Sequence, residues 1–177
     1  MNRIALPLTS KVMRMDLFTY FPLLQPKPLK QFLKDVFACD EMVQAYLTPM
    51  RNQPPHAPHI VLAVDVATAI AREVRHSVWL HSAQERELAI VAALVKHCGH
   101  FLVALRHQPA NSKEASQART FALEDALRKL RSTSPEMGQT LSAVLGQEAG
   151  DDFNAMQVTR IHNVLITAGM RRKLPSK

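Results

Sequence analysis

The sequence has few glycines and very few cysteines: 5 Gly, 2 Cys and a single Trp among 177 residues. Cys39 and Cys98 cannot build a disulfide scaffold, and their separation is unlike the ligand spacing of a zinc site. There is no Gly-rich phosphate loop, and no serine stands in a nucleophile-elbow context. These absences exclude the disulfide-rich class and leave no sequence sign of a P-loop nucleotide site or a serine hydrolase.

Long uninterrupted apolar runs are missing as well. The longest, Leu88–Val95, has the length of a buried core segment rather than the roughly 18 residues that a membrane span needs. The first apolar stretch, 4–8, is short and interrupted by Pro7, unlike a secretory signal. We therefore predict a cytoplasmic protein with no membrane partner.

Helical periodicity is what the sequence does contain. Apolar residues recur at helical spacing through most of the chain, and no segment alternates as a half-buried strand would. Eight of the eleven prolines fall in the first sixty residues, which predicts an irregular, Pro-rich leader over 1–27. We predict an all-α helical bundle: one domain over 1–170, with helices near 60–75 and 84–105 at its centre, then a basic tail over 171–177.

The positive charge is unevenly distributed. The net charge is +7 and the isoelectric point about 9.8, yet residues 59–105 carry four basic and four acidic side chains. Phosphate attracts Lys and Arg regardless of sequence, so DNA is the first candidate partner. The candidate nucleic-acid-binding residues lie on a helix near 113–131 and in the tail: Arg119, Arg128, Lys129, Arg131, Arg171, Arg172 and Lys173. The alternative interpretation is an ordinary solvated surface.

Three polar residues interrupt the most apolar helix. Lys96, His97 and His100 follow directly on the run 88–95, where local rules predict further apolar residues. Such inconsistencies mark functional or strained positions.

The segment around these residues resembles the central motif of HD-type phosphohydrolases, an apolar helix that reads approximately AALLHDIGK. Ala92–Val95 and Gly99 match that motif, and His100 stands at its basic residue. Lys96 stands at the motif histidine and His97 at the motif aspartate. The resemblance implies a bundle of HD-domain type.

An upstream segment is similar to the "HHA…HSLEVA" stretch of one branch of that superfamily. His56 and Ala57 match its start, and 63–67 match its end. The branch includes the helicase- or relaxase-like proteins of integrative conjugative elements. The resemblance covers about residues 15–105 and implies a module related to mobile-element proteins.

The departures from the family pattern concern the metal ligands. Leu62 stands where the pattern has a histidine, Lys96 replaces another, and Asn163 falls near the distal aspartate. An HD enzyme uses its metal to lower the pKa of an attacking water. With these ligands replaced, the resemblance implies no catalytic residue and no cofactor.

A rebuilt metal site is the alternative. Imidazole suits divalent transition metals, and the candidate ligands are His56, His59, Asp65, His97 and His100. The competing interpretation is that these side chains are hydrogen-bonded to backbone and water.

Three functions follow from these patterns. The first is a non-catalytic HD-like module that binds DNA or a partner protein, and the second is a divergent metal-dependent phosphohydrolase that uses the clustered histidines. The third is an adaptor that self-associates through the leader, whose segment 17–24 is aromatic and apolar. We favour the first.

Overall fold

The computed structural model describes residues 24–52, 59–106, 112–146 and 155–171. Within these ranges the chain forms eight helices and two short strands. In chain order they are α1 (Lys27–Val36), α2 (Asp40–Tyr46), β1 (Pro49–Asn52), β2 (His59–Leu62), α3 (Ala63–Arg75), α4 (Ala83–Val95), α5 (Cys98–Leu105), α6 (Ser112–Thr133), α7 (Pro135–Val144) and α8 (Ala155–Arg171). The predicted all-α bundle is confirmed.

Helix α4 lies at the centre of the bundle. Ten of its thirteen residues are buried, including every residue from Glu87 to Val95. Helices α1, α3, α7 and α8 all pack against it. A helix that is apolar on nearly all sides needs such cover, so the sequence pattern predicts this position correctly.

Helix α3 packs on α4 and α8 but is covered on one face only. Its buried residues recur at helical spacing, from Ala63 to Val74. Asp65 and Arg72 are exposed on the other face. The apolar pattern over 60–75 therefore predicts the packing of α3 on α4 and α8 correctly. It also predicts cover on nearly all sides, whereas one face of α3 is exposed.

The stretch Ala83–Leu105 is long and apolar enough to cross a bilayer by length and composition, but 72% of the relevant window is buried inside the bundle. The core helix of a folded domain meets the same criterion.

A short hairpin precedes α3 and includes the first residues of the helix predicted near 60–75. β1 pairs with β2 in antiparallel register, with Pro49 opposite Leu62 and Asn52 opposite His59. The amide of Ala63 donates to the carbonyl of Thr48 at 3.0 Å, which extends the pairing into the start of α3. Four residues with a proline at one end give little strand signal, and the backbone pairing that creates the hairpin is not a property of either segment alone.

The leader and the tail lie mostly outside the described residues. Of the leader, 24–27 are described, and Leu24 is fully buried against the bundle. The amide of Gln25 donates to Glu87 Oε1 at 2.9 Å, which joins this end of the chain to the first half of α4.

Candidate functional site

The apolar stretch predicted as one helix over 84–105 is broken in two. α4 ends at Val95 and α5 begins at Cys98, so Lys96 and His97 form the turn between them. The last carbonyls of a helix have no partner within it. The Tyr46 hydroxyl donates to the carbonyl of Leu94, and Arg119 Nη1 donates to the carbonyl of Lys96 at 3.2 Å. Side chains from α2 and α6 therefore satisfy the broken helix end.

Gly99 brings α6 against this break. A Cβ at Gly99 would lie 1.8 Å from the carbonyl oxygen of Ala115 and 3.0 Å from Arg119 Cβ, so only glycine permits the approach. The close contact places Arg119 over the turn, and its Nη2 also reaches Ser116 Oγ at 3.4 Å. The glycine that matches the HD-type motif thus positions a guanidinium supplied by another helix.

Four cationic or titratable side chains meet at the break. We call Lys96, His97, His100 and Arg119 the cationic cluster. The rings of His97 and His100 lie 6.2 Å apart between centroids. Lys96 Nζ and Arg119 Nε are shielded from solvent and have no hydrogen-bond partner among the described residues. Two strong donors are therefore left unsatisfied by that part of the chain, which natural proteins seldom tolerate without a reason.

The electrostatics of the cluster follow from burial and from like charges. Burial and the charge of Arg119 lower the pKa of Lys96 to about 8, so the ammonium is still protonated at neutral pH. Burial, then the charges of His100, Lys96 and Arg119, lower the pKa of His97 to about 3, so that imidazole is neutral. Burial and Arg119 also lower the pKa of His100. Each charged member of the cluster therefore disfavours protonation of the other side chains in it.

Helix α8 brings one further imidazole close to the cluster. The pKa of His162 is lowered by burial and by the charge of Lys96, while a hydrogen bond with the backbone of Val144 raises it. Asn163, the residue aligned with the distal HD aspartate, is exposed and lines a different groove, together with Trp79. The cluster therefore draws on the turn after α4, on α5 and on α6, with α8 at its margin.

Of the five candidate metal ligands, the structure describes the side chains of Asp65, His97 and His100. Within the part of the chain that the structure describes, no three potential His, Cys, Asp or Glu ligands converge. His56 lies outside the described residues, as does the side chain of His59. Asp65 is exposed and accepts the amide of Leu62 at 3.2 Å, which makes it a helix-capping carboxylate. Beside His97 and His100, the charges of Arg119 and of protonated Lys96 oppose the binding of a cation.

The buried thiol of Cys98 is no better suited to chemistry. Burial raises its pKa to about 12, even though the charge of nearby Arg119 acts to lower it. A thiol with so high a pKa supplies almost no thiolate at neutral pH.

The predicted basic surface is divided between two faces of α6. Arg119 and Arg128 are nine positions apart, which at about 100° per residue places them on opposite sides of the helix. Arg128 and Lys129 are exposed, and both pair with Asp125, the latter at 3.0 Å. Arg131 packs beneath α7, where a Cβ on Gly138 would lie 2.5 Å from its Cγ. Helix α6 thus contributes Arg119 alone to the cluster.

The tail candidates cannot be placed. Arg172 and Lys173 lie outside the described residues, and so does the side chain of Arg171.

Comparison with known proteins assigns no family. No family model, curated protein or solved structure matches this chain. The resemblance to HD-type phosphohydrolases and to conjugative-element proteins therefore stays a prediction.

Proposed function

We propose that this protein is a non-catalytic binding module that holds a phosphate group of a nucleic acid in the cationic cluster. The observation that carries the proposal is the pair of shielded, unpaired donors, Lys96 Nζ and Arg119 Nε. An anion between them would satisfy both hydrogen-bonding groups and compensate both charges. Such charge-assisted hydrogen bonds are roughly twice as strong as neutral ones.

The cost of leaving the site empty supports the same conclusion. Burying a polar group without a partner costs roughly 1–3 kcal/mol in proteins, and an unpaired charge costs more. Lys96 bears that cost at the end of the most buried helix, where an apolar residue would continue the pattern of 88–95. A ligand that binds its charge would explain a lysine at such a position.

Nucleic acid fits better than a small-molecule substrate because the chain as a whole is basic. The net charge of +7 favours encounter with a polyanion over long range. Chemistry on that polyanion has no support in this cluster: the imidazole of His97 is neutral but buried, and the cationic neighbours disfavour a metal.

The test is nucleic-acid binding by fluorescence anisotropy at 50 and 200 mM salt, with wild type, Lys96→Met and a double variant, Arg128→Gln with Lys129→Gln. We expect binding to weaken with salt, with a log–log slope of about −0.9 for each phosphate contacted on duplex DNA and about −0.7 on single strands. Lys96→Met should weaken binding and reduce that slope by about one contact. The double variant, at exposed positions nine and ten residues beyond Arg119 on α6, is the matched control and should bind much as wild type does.

Two outcomes would contradict the proposal. If the double variant loses binding and Lys96→Met does not, the exposed face of α6 is the nucleic-acid surface and the cluster is not. If wild type does not bind nucleic acid at 50 mM salt, the cluster does not hold a phosphate group of a nucleic acid.

A further inference from the structure

The loop between α3 and α4 holds a tryptophan in solvent. Trp79, the single tryptophan of the chain, is 72% exposed, and its neighbour Val78 is 85% exposed. Tryptophan is largely buried in most folded proteins, because so large an apolar side chain is unfavourable in water. Two adjacent apolar side chains left in solvent are typical of a surface that contacts a ligand.

This loop is anchored on both sides of Trp79. Before it, the amide of Ser77 donates to the carbonyl of Val74 at 3.0 Å, and Ser77 Oγ accepts the amide of Trp79 at 3.3 Å. After it, Leu80 is buried, and its carbonyl accepts Arg86 Nη2 at 3.4 Å. The fold therefore fixes the backbone that carries the exposed indole. A ligand that binds this side chain does not have to order the loop first, which lowers the entropic cost of binding.

Trp79 lines a groove between this loop and helix α8. The volume of the groove is about 700 Å³, within the usual range of small-molecule sites. Its lining includes the buried apolar residues Val164 and Ala168 and the exposed polar residues Asn163 and His81. An aromatic ring, an apolar lining and polar groups beside them suit a flat molecule with apolar faces and a polar edge.

The charged side chains of the groove favour an uncharged ligand group. Among the described residues that line it, Glu73 and Arg160 carry opposite charges, and the guanidinium of Arg160 pairs with Glu85. No lysine and no other arginine of the described chain lines the groove. We therefore expect the part of a ligand that enters it to be uncharged, as a nucleobase is and a phosphate is not.

The rest of the chain favours a base that belongs to a nucleic acid over a free heterocycle. The net charge of +7 attracts a polyanion. The groove also adjoins the region of the cationic cluster along α8, because Asn163 follows directly on His162, whose pKa is lowered by burial and by the charge of Lys96. Both sites are thus accessible to different parts of one strand.

We infer that the groove binds an unpaired base of a single-stranded nucleic acid, stacked on the indole of Trp79. The inference rests on the proposed function for its class of ligand, and it adds a second site and a preference for single strands. The bases of a duplex are already paired and stacked, so they are not available to the groove. Stacking depends little on sequence, since every base has a π-face.

The experiment uses the fluorescence of Trp79, which reports on this groove alone because the chain has no other tryptophan. The full chain is titrated with oligothymidylate and with the duplex that this strand forms with oligoadenylate, and anisotropy of labelled strands measures the affinity. We expect the single strand to quench the emission and the duplex to leave it almost unchanged. Trp79→Ala should weaken single-strand binding roughly 5- to 150-fold, as loss of one stacked base usually does, whereas Trp79→Phe should keep most of the affinity.

Phe121→Ala is the matched control. Phe121 is 80% exposed, much as Trp79 is, but it lines a different groove, together with Met42 and Leu102. This variant should bind both ligands as wild type does. Both positions are exposed, so we expect the variants to fold, which circular dichroism checks, and quenching of wild type needs no variant.

The outcomes separate the inference from the proposed function. If the single strand binds without changing the emission of Trp79, and Trp79→Ala binds it as wild type does, the inference is wrong whether or not Lys96→Met loses binding. If Trp79→Ala loses binding and Lys96→Met does not, the base site stands and the cationic cluster is not the phosphate site. If neither strand nor duplex binds, both are wrong.

A second copy of the chain is the competing occupant of the groove. In that case the emission of Trp79 shifts to shorter wavelength as the protein concentration rises without nucleic acid, and sedimentation shows a dimer that Trp79→Ala does not form. That result would overturn the inference.

Discussion

The two ends of helix α4 differ in whether a buried charged side chain has a partner. At its first turn, Glu85 is buried and fully paired: the amide of His81 donates to Oε2 at 2.6 Å and Arg160 Nε donates to Oε1 at 3.0 Å. Burial by itself raises the pKa of Glu85, but the bonds from Arg160 and from the backbone outweigh it and lower the pKa below the ordinary value. At the other end, the ammonium of Lys96 is shielded and has no hydrogen-bond partner in the part of the chain that the structure describes.

The difference separates a structural charge from a functional one. Glu85 completes a helix cap, with its own amide donating to Ser82 Oγ at 3.0 Å, so both partners of every bond are supplied by the fold. Among the described residues, none supplies a partner for the ammonium of Lys96. A charge that the folded chain satisfies stabilises it, whereas a charge that it leaves unsatisfied is available to a ligand.

The largest expected effect is at the paired end. Glu85→Ala leaves the guanidinium of Arg160 without its carboxylate and removes the cap, so we expect a loss of about 3 kcal/mol in the free energy of unfolding. Urea denaturation measures it. Asp125→Ala, which breaks an exposed pair on α6, is the control and should change stability little. Equal effects of the two substitutions would remove the distinction between buried and exposed pairs.

The next effect concerns the contact that forms the cluster. Gly99→Ala places a methyl group 1.8 Å from the carbonyl oxygen of Ala115, so α5 and α6 must separate. We expect a loss of roughly 1–3 kcal/mol from overpacking, together with weaker phosphate binding because Arg119 moves with α6. Denaturation and the anisotropy assay measure the two consequences. Unchanged stability would mean that α6 does not approach Gly99 this closely.

A substitution of Lys96, at the other end of α4, should stabilise the protein instead of destabilising it. Lys96→Met keeps the length of the side chain and removes an unsatisfied buried ammonium, so we expect a gain of roughly 1–3 kcal/mol in stability. The same variant should lose the stabilisation that added phosphate gives to wild type. Thermal unfolding with and without phosphate tests both. A destabilised Lys96→Met would show that the folded chain already compensates this charge.

Near neutrality, the smallest effect is a dependence on pH. His97 is neutral in the fold, with a pKa of about 3 against an ordinary value of 6.5. The unfolded chain therefore binds a proton below about pH 6.5 that the folded chain does not, and stability decreases as the pH falls from there towards 3, by about 1.4 kcal/mol per pH unit. His97→Leu should flatten that part of the profile, as measured by denaturation between pH 7 and 5. If the pH profiles of stability for wild type and His97→Leu are parallel, His97 titrates normally in the folded protein.

The sequence alone determines most of the helical architecture because the apolar pattern is a local property. The run 88–95 predicts a buried helix, and Ser134 followed by Pro135 predicts the start of α7 at Pro135. Lys96, His97 and His100 are recognisable as a break in that pattern. The hairpin of β1 and β2 is not predicted, because its strands are defined by pairing with each other.

Only the tertiary structure decides which side chains form the site. Arg119 is predicted from sequence as part of a basic surface with Arg128 and Lys129, yet packing at Gly99 turns it towards Lys96 on the other side of α6. The periodicity of a helix shows which residues share a face, but not which face meets a neighbouring helix. That choice depends on how closely two backbones can approach, and here a single missing Cβ permits the contact that brings two cations together.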